Sequence, residues 1–84
     1  QVSLQALKAF ESAARRGSFK LAAEELSLTP TAISHHIGNL ESRLNVSLFH
    51  RQGRRISLTG TGVRLARATS EGFRKIDSAL EEVV

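Results

Sequence analysis

Apolar residues recur at every third or fourth position from the start of the chain, and this spacing predicts an amphipathic first helix. Ser3 carries a side-chain oxygen suited to the cap at its start, and Gly17 is suited to the left-handed conformation that ends many helices. The residues that we expect to face the core are Leu4, Leu7, Phe10 and Ala14.

Two more helices, separated by a short turn, are predicted between Ser18 and Leu44. Ser18 can cap the first of them. The run Ser27-Leu28-Thr29 then interrupts the apolar spacing before Pro30, a residue favoured in the first turn of a helix. Asn45 tolerates the left-handed conformation and is expected to end the second helix. The apolar stripes are Phe19, Ala22, Ala23 and Leu26 in the first of the two, and Ile33, Ile37, Leu40 and Leu44 in the second. Two helices joined in this way form a helix-turn-helix.

Residues 48–58 contain two short runs of apolar and basic residues around a Gln-Gly pair, which indicates a small β-hairpin. We interpret it as a wing that leans on the helices, since a two-stranded hairpin is only marginally stable alone. We expect its base to be anchored in the core by Leu48, Phe49, Ile56 and Leu58. Near its tip we expect a cluster of three arginines, Arg51, Arg54 and Arg55.

A long helix is predicted from its cap at Thr59 to the end of the chain. Small and apolar residues advance along it by four and three positions alternately, which is the heptad spacing of a coiled coil. These residues are Gly62, Ala66, Thr69, Phe73, Ile76, Leu80 and Val83. We expect the first two turns to pack on the domain and the part from Phe73 onwards to pair with a second copy of the chain. We assign to the dimer interface Ala66, Thr69, Phe73, Ile76, Leu80 and Val83.

The composition is that of a small unit: 84 residues with 40% hydrophobic content can build one core, and burial against a partner subunit would add to its stability. The absence of cysteine excludes disulfides and thiolate metal sites and suits a reducing cytoplasm. The absence of methionine predicts an excised domain, with residues missing before it and after it. No apolar run approaches the ~20 residues that span a bilayer, so we expect a soluble fragment with no membrane partner.

The charge is distributed unevenly along the chain. The formal net charge is +4 and the sequence pI is about 10.7, which favours polyanions as partners. No acidic residue lies between Glu41 and Glu71, whereas this window holds Arg43, Arg51, Arg54, Arg55, Arg64 and Arg67. A solvated basic surface would explain any one of these arginines, but together they favour phosphate binding.

Residues suited to catalysis or metal binding do not converge. Asp77 is the only aspartate and lies in the predicted dimer helix, and no nucleophile-elbow, zinc-protease or phosphate-loop motif occurs. His35 and His36 are adjacent, so they point about 100° apart on a helix and lack the one-turn spacing of paired metal ligands. We expect no enzyme activity, no metal site and no cofactor.

The outer face of the second helix of the helix-turn-helix is small, polar and uncharged, as a helix that enters a DNA groove requires. It carries Thr31, Ser34, His35 and Gly38. We expect His35 in particular to contact a base, because its ring nitrogens can donate to a base acceptor, and a contact with a phosphate is the alternative. Gly38 is unfavourable in mid-helix, and either close helix packing or close approach to a groove wall would explain it. Ser18 and Thr29 lie at helix starts, where hydroxyl and backbone N–H groups can hold phosphates.

The chain resembles the N-terminal domain of the LysR-type transcriptional regulators over essentially its whole length. The matching segments are ALKAFESAARRGSFKLAAEEL, LTPTAISHHIGNLESRLNVSLFHR and GRRISLTGTG. The resemblance implies a mainly α fold, with a winged helix-turn-helix at residues 1–58 and a linker helix at residues 59–84 that pairs two subunits. It also implies an absent C-terminal domain that binds a small co-inducer, tetramers of the full protein, and imperfect palindromes built around T-N11-A as binding sites.

In that family the DNA contacts come from the recognition helix and the wing, which here correspond to Thr29, Pro30, Thr31, Ser34, His35, Arg51, Arg54 and Arg55. Many members carry Gln in place of Pro30 and Arg or Lys in place of His35, so the base preference cannot be copied. We expect a sequence-specific domain of a bacterial regulator that binds double-stranded DNA in the cytoplasm. Two alternatives stay open: a protein-interaction module and a non-specific architectural DNA binder on the same fold.

Overall fold

The computed structural model describes residues 2–53 and 55–84. Its elements, in chain order, are α1 (Leu4–Arg16), α2 (Phe19–Leu26), α3 (Pro30–Leu44), β1 (Phe49–Gln52), β2 (Arg55–Leu58) and α4 (Gly60–Val83). Helices therefore dominate, and the two strands form one antiparallel hairpin. The predicted mainly α fold with a helix-turn-helix and a wing is confirmed, and Arg54 lies outside the described residues.

Each of the four helices begins at a hydroxyl side chain, as the sequence predicts. The hydroxyl oxygen accepts a hydrogen bond of 3.0–3.1 Å from the backbone N–H three residues further on, which satisfies a donor that has no partner inside the helix. The capping residues are Ser3, Ser18, Thr29 and Thr59. The first three helices end at left-handed residues, which are Gly17, Ser27 and Asn45.

The core lies where α1, α2 and α3 meet. Its fully buried large side chains include Phe10, Ile33, Ile37, Leu40 and Leu48, all at most 1% exposed. The predicted inner stripe of α1 is wrong in part, because Leu4 is 60% exposed. The face that is buried instead carries Ala6, Ala9, Phe10 and Ala13. These alanines also recur at helical spacing, and their small side chains allow α1 to pack closely on two other helices at once.

The wing is fixed to this core at its base. Phe49 is 6% exposed, and its ring lies 5.5 Å from that of Phe10 and 5.6 Å from that of Phe19, measured between centroids. A carboxylate oxygen of Glu41 on α3 accepts hydrogen bonds from the backbone N–H groups of Leu48 at 2.8 Å and Phe49 at 3.3 Å. The first strand is therefore held both by aromatic packing and by a side chain of the preceding helix.

The long helix α4 starts against the wing and then leaves the core. The Thr59 N–H donates to the carbonyl oxygen of Leu48 at 3.0 Å, and Gly62 lies so close to that carbonyl that a Cβ at position 62 would overlap it. Leu65 and Ala66 pack on the core, and this part of α4 runs beside α1. From Arg74 onwards the side chains are exposed. No helix in the described ranges combines the length and apolarity needed to cross a membrane.

Candidate nucleic-acid interface

The outer face of α3 is open to solvent. Thr31, His35 and Gly38 are exposed, and Ser34 beside them is half-buried. Pro30, which occupies the first position of the helix, and its cap Thr29 are exposed as well. Thr31, His35 and Gly38 therefore share the side of α3 that faces away from the buried Ile33 and Ile37, and Ser34 lies at the edge of that side. This face carries no Lys, Arg, Asp or Glu side chain.

Gly38 has free space where a side chain would lie. A Cβ built at this position would have no neighbouring atom within 4 Å outside its own helix. Close helix packing within the chain therefore does not explain this glycine, although glycine in mid-helix costs about 1 kcal/mol relative to alanine. Of the two explanations, the approach of an external surface remains.

The arginines of the wing do not act alike. Two residues that pair across the hairpin project from the same face of it. In the observed register, Phe49 pairs with Leu58 and Arg51 pairs with Ile56, whereas Gln52 pairs with Arg55. Arg51 thus lies on the inner side with the core residues of the wing, and Arg55 lies on the outer, solvent side. The predicted cluster at the tip is divided between two faces of the hairpin, and its third member, Arg54, is not described.

Arg51 joins the wing to the helices. Its Nη2 lies 3.5 Å from Oε1 of Glu41, and its guanidinium carbon lies 5.2 Å from the centre of the Phe19 ring, in a cation–π contact. The side chain is still 43% exposed, so some of its N–H groups face solvent. Arg51 is therefore both a structural brace and a basic group at the edge of α2.

Two arginines outside the segment between Glu41 and Glu71 form ion pairs within the chain, which offset their charge. Arg15 donates to Glu25 and Glu11, and Arg16 donates to Glu25 at 3.2 Å. Hydrogen bonding to Glu25 and then to Glu11 raises the pKa of Arg15, and the Arg15 guanidinium lowers the pKa of Glu25 from its ordinary range. By contrast, Arg43, Arg55 and Arg67 form no ion pair in the described part of the chain, which leaves them available to a polyanion.

Sequence reasoning missed two residues of this region. Glu41 holds the start of β1 by accepting a hydrogen bond from the Leu48 N–H, seven residues further along the chain. No pattern in the sequence predicts this contact. Lys20, the second residue of α2, is exposed and lies beside Ser18, Ser34 and Arg51 around one cleft. The sequence could have indicated a role for Lys20, because the helix dipole disfavours a cation in the first turn of a helix.

The residues assigned to the dimer interface fall into two groups along α4. Ala66 packs against the core of its own domain, and the hydroxyl of Thr69 donates to the Leu65 carbonyl of its own helix at 2.9 Å. Phe73 is half-buried, whereas Ile76, Leu80 and Val83 are 53%, 59% and 84% exposed. The interface itself stays a prediction, and the residues open to a partner are those of the distal turns.

Comparison with known proteins identifies the family. The model of the bacterial regulatory helix-turn-helix proteins of the LysR family matches residues 4–63. The transcriptional regulator PerR of Escherichia coli is 48% identical over 77 residues, which cover 92% of this chain and 26% of PerR. The chain spans about a quarter of the length of such curated relatives.

Solved structures show the same fold. A probable transcriptional regulator of Pseudomonas aeruginosa superposes with a TM-score of 0.87 at 35% identity, covering 95% of this chain and 27% of that one. The BenM DBD in complex with catB site 1 DNA superposes with a TM-score of 0.87 at 25% identity, covering 96% and 90%. The chain therefore belongs to the LysR family of bacterial regulatory helix-turn-helix proteins, of which it is a winged helix-turn-helix DNA-binding domain.

Proposed function

We propose that this domain binds particular sequences of double-stranded DNA by inserting the outer face of α3 into the major groove. The observation that carries the proposal is the free space and exposure along Thr31, His35 and Gly38. A major groove is about 12 Å wide and admits a helix whose outer side chains are small. The BenM DBD structure, which is a complex with DNA, supports DNA as the partner of this chain.

The roles of the side chains on α3 follow from their positions. His35 is the longest polar side chain on the exposed face, so we assign it to a base edge, together with Thr31. Thr29 and Pro30 start the helix, where the hydroxyl of Thr29 and the backbone N–H of Thr31 suit a phosphate at the groove edge, since Pro30 has no N–H and the next two N–H groups bond to Thr29. Gly38 allows the later turns of α3 to come close to the groove wall.

The wing and α2 hold the DNA backbone. Arg55 on the outer side of the hairpin is exposed and reaches a phosphate or the minor groove, and we assign Arg54 next to it to the same task. Arg51 contributes from the inner side, and Ser18 from the start of α2. Contacts of this kind fix the position of a protein on DNA and supply most of its salt-dependent affinity.

We further propose that two copies pair through the distal half of α4. Phe73, Ile76, Leu80 and Val83 keep the heptad spacing, and the last three expose apolar surface that the body of the domain does not cover. A dimer places two recognition helices on half-sites one DNA turn, about 34 Å, or a multiple of it apart. In the whole protein, tetramers, cytoplasmic location and a co-inducer bound by a further domain belong to this proposal by family resemblance.

Selection of bound duplexes from a random pool tests the proposal. We expect enrichment of particular sequences, and we expect His35→Ala to lose the preference at one or two base pairs of each half-site at a cost of about 1–3 kcal/mol. Equal retention of all sequences would instead identify an architectural DNA binder. No retention of any duplex would identify a protein-interaction module.

A further inference from the structure

A cleft of about 400 Å³ lies between the start of α2, the middle of α3 and the wing. Three elements contribute to its walls: Ser18 and Lys20 come from the α2 end, Ser34 from α3, and Arg51 and Gly53 from the hairpin. Residues far apart in sequence are thus brought together beside the outer face of α3, which is the face assigned to the groove.

Phe19 and Ile56 supply the apolar part of the lining, and the polar side chains around the cleft are hydrogen-bond donors. Lys20 is exposed and forms no ion pair within residues 2–53 and 55–84. The N–H groups of Phe19 and Lys20, the first two of α2, have no acceptor inside the helix, and Ser34 adds a hydroxyl group. Arg51 also contacts Glu41 and the ring of Phe19, which itself lines the cleft, and these contacts restrict the position of the guanidinium.

We propose that the cleft seats one phosphate group of the DNA backbone and that Lys20 supplies the charge that binds it. Glu41 already offsets part of the Arg51 charge, so among the described residues that line the cleft Lys20 is the cation without an ion pair. The proposal rests on the proposed binding of α3 in the major groove, because phosphates line the edges of that groove. It assigns Ser34 to the backbone, in contrast to His35, which reads bases.

The position of the cleft sets what it recognises. A phosphate oxygen accepts hydrogen bonds from a lysine, an arginine, a hydroxyl and backbone N–H groups, all of which are present here, and it presents the same chemistry in every sequence. Lys20 therefore contributes affinity without sequence preference. This separates it from the residues on the exposed face of α3.

The test compares salt titrations of the domain and of Lys20→Ala on two duplexes, one selected from the random pool and one of unrelated sequence. We expect Lys20→Ala to weaken binding severalfold on both duplexes and to make the slope of log affinity against log salt shallower by about 0.9. Lys20→Arg is expected to retain the slope. Lys8→Ala is the matched control, since Lys8 is an exposed lysine of α1 that does not line the cleft.

The outcomes separate this proposal from the one it rests on. An unchanged slope for Lys20→Ala, with binding by the unaltered domain intact, overturns the phosphate site alone. Loss of affinity on the selected duplex only would make Lys20 a base-reading residue and would also overturn it. A domain that binds neither duplex overturns both proposals. Equal thermal unfolding midpoints of the variants show that the differences arise at the interface.

Discussion

The three-helix body and the distal half of α4 carry similar apolar stripes but differ in what covers them. Phe10, Ile33 and Ile37 in the body are 0% exposed, whereas Ile76 and Leu80 on α4 are 53% and 59% exposed. Both sets follow helical spacing. Spacing therefore identifies the residues that share a face, but it does not show whether the same chain supplies the covering surface.

The largest expected effect breaks the body. Phe10→Ala removes a fully buried ring that also contacts Phe49, and we expect it to lower the free energy of unfolding by about 3–5 kcal/mol. Leu4→Ala on the same helix removes a side chain that is 60% exposed, and we expect a loss below about 1 kcal/mol. Urea unfolding measures both, and equal losses would contradict the placement of the core.

A charge among the exposed apolar residues of the distal half of α4 tests whether a second copy of the chain covers them. Leu80→Asp places a carboxylate in the proposed apolar interface, and we expect the dimer to dissociate at least about thirtyfold more readily, or ~2 kcal/mol. Ser78→Asp introduces the same charge about 200° around the helix and should leave the dimer unchanged. Sedimentation equilibrium gives both dissociation constants. Equal weakening by the two variants would show that general charge repulsion, not the apolar interface, is responsible.

Two glycines test where backbone contact is tight. A Cβ at position 62 would overlap the Leu48 carbonyl, so Gly62→Ala is expected to destabilise the domain by about 1–3 kcal/mol. Gly38→Ala meets open space and is expected to stabilise the free domain by about 0.5–1 kcal/mol while weakening DNA binding. Thermal unfolding and binding titrations measure these changes. Stabilisation by Gly38→Ala without any loss of affinity would remove Gly38 from the interface.

The smallest effect concerns the ion-pair network of the body. Arg15 lowers the pKa of Glu25, so the native state favours the ionised carboxylate and the resulting stability is present above the pH range in which an unfolded glutamate titrates. It is lost as the pH falls through the lowered native pKa. Glu25→Gln should therefore cost below about 1 kcal/mol at pH 7, since the pair is partly exposed. The difference from the unaltered domain should vanish in acid, and a constant difference in urea unfolding across the pH range would contradict this assignment.

Local signals in the sequence predict most of the fold. The predicted positions of the four hydroxyl caps and of the left-handed helix ends at Gly17 and Asn45 are confirmed. These features could be predicted because they depend only on neighbouring residues in the sequence. The inner face of α1 was mispredicted at Leu4 because hydrophobicity ranks leucine above alanine, whereas close helix packing favours alanine.

The candidate site was less accessible to prediction. The separation of Arg51 from Arg55 depends on the register of the hairpin, and the hold of Glu41 on β1 depends on how α3 meets the wing. The cleft around Lys20 requires three elements to converge. Such features arise from tertiary packing, which periodicity along one segment does not encode.

The central claim is that the three-helix body of one subunit binds one half-site, and that pairing through the distal half of α4 brings a second subunit to a second half-site. Selection from a random pool, run in parallel on the unaltered domain and on Leu80→Asp, tests this claim most directly. We predict paired, inverted half-sites for the unaltered domain, with centres about one DNA turn or a multiple apart, and the same half-site unpaired for Leu80→Asp. Identical single half-sites from both proteins would contradict it.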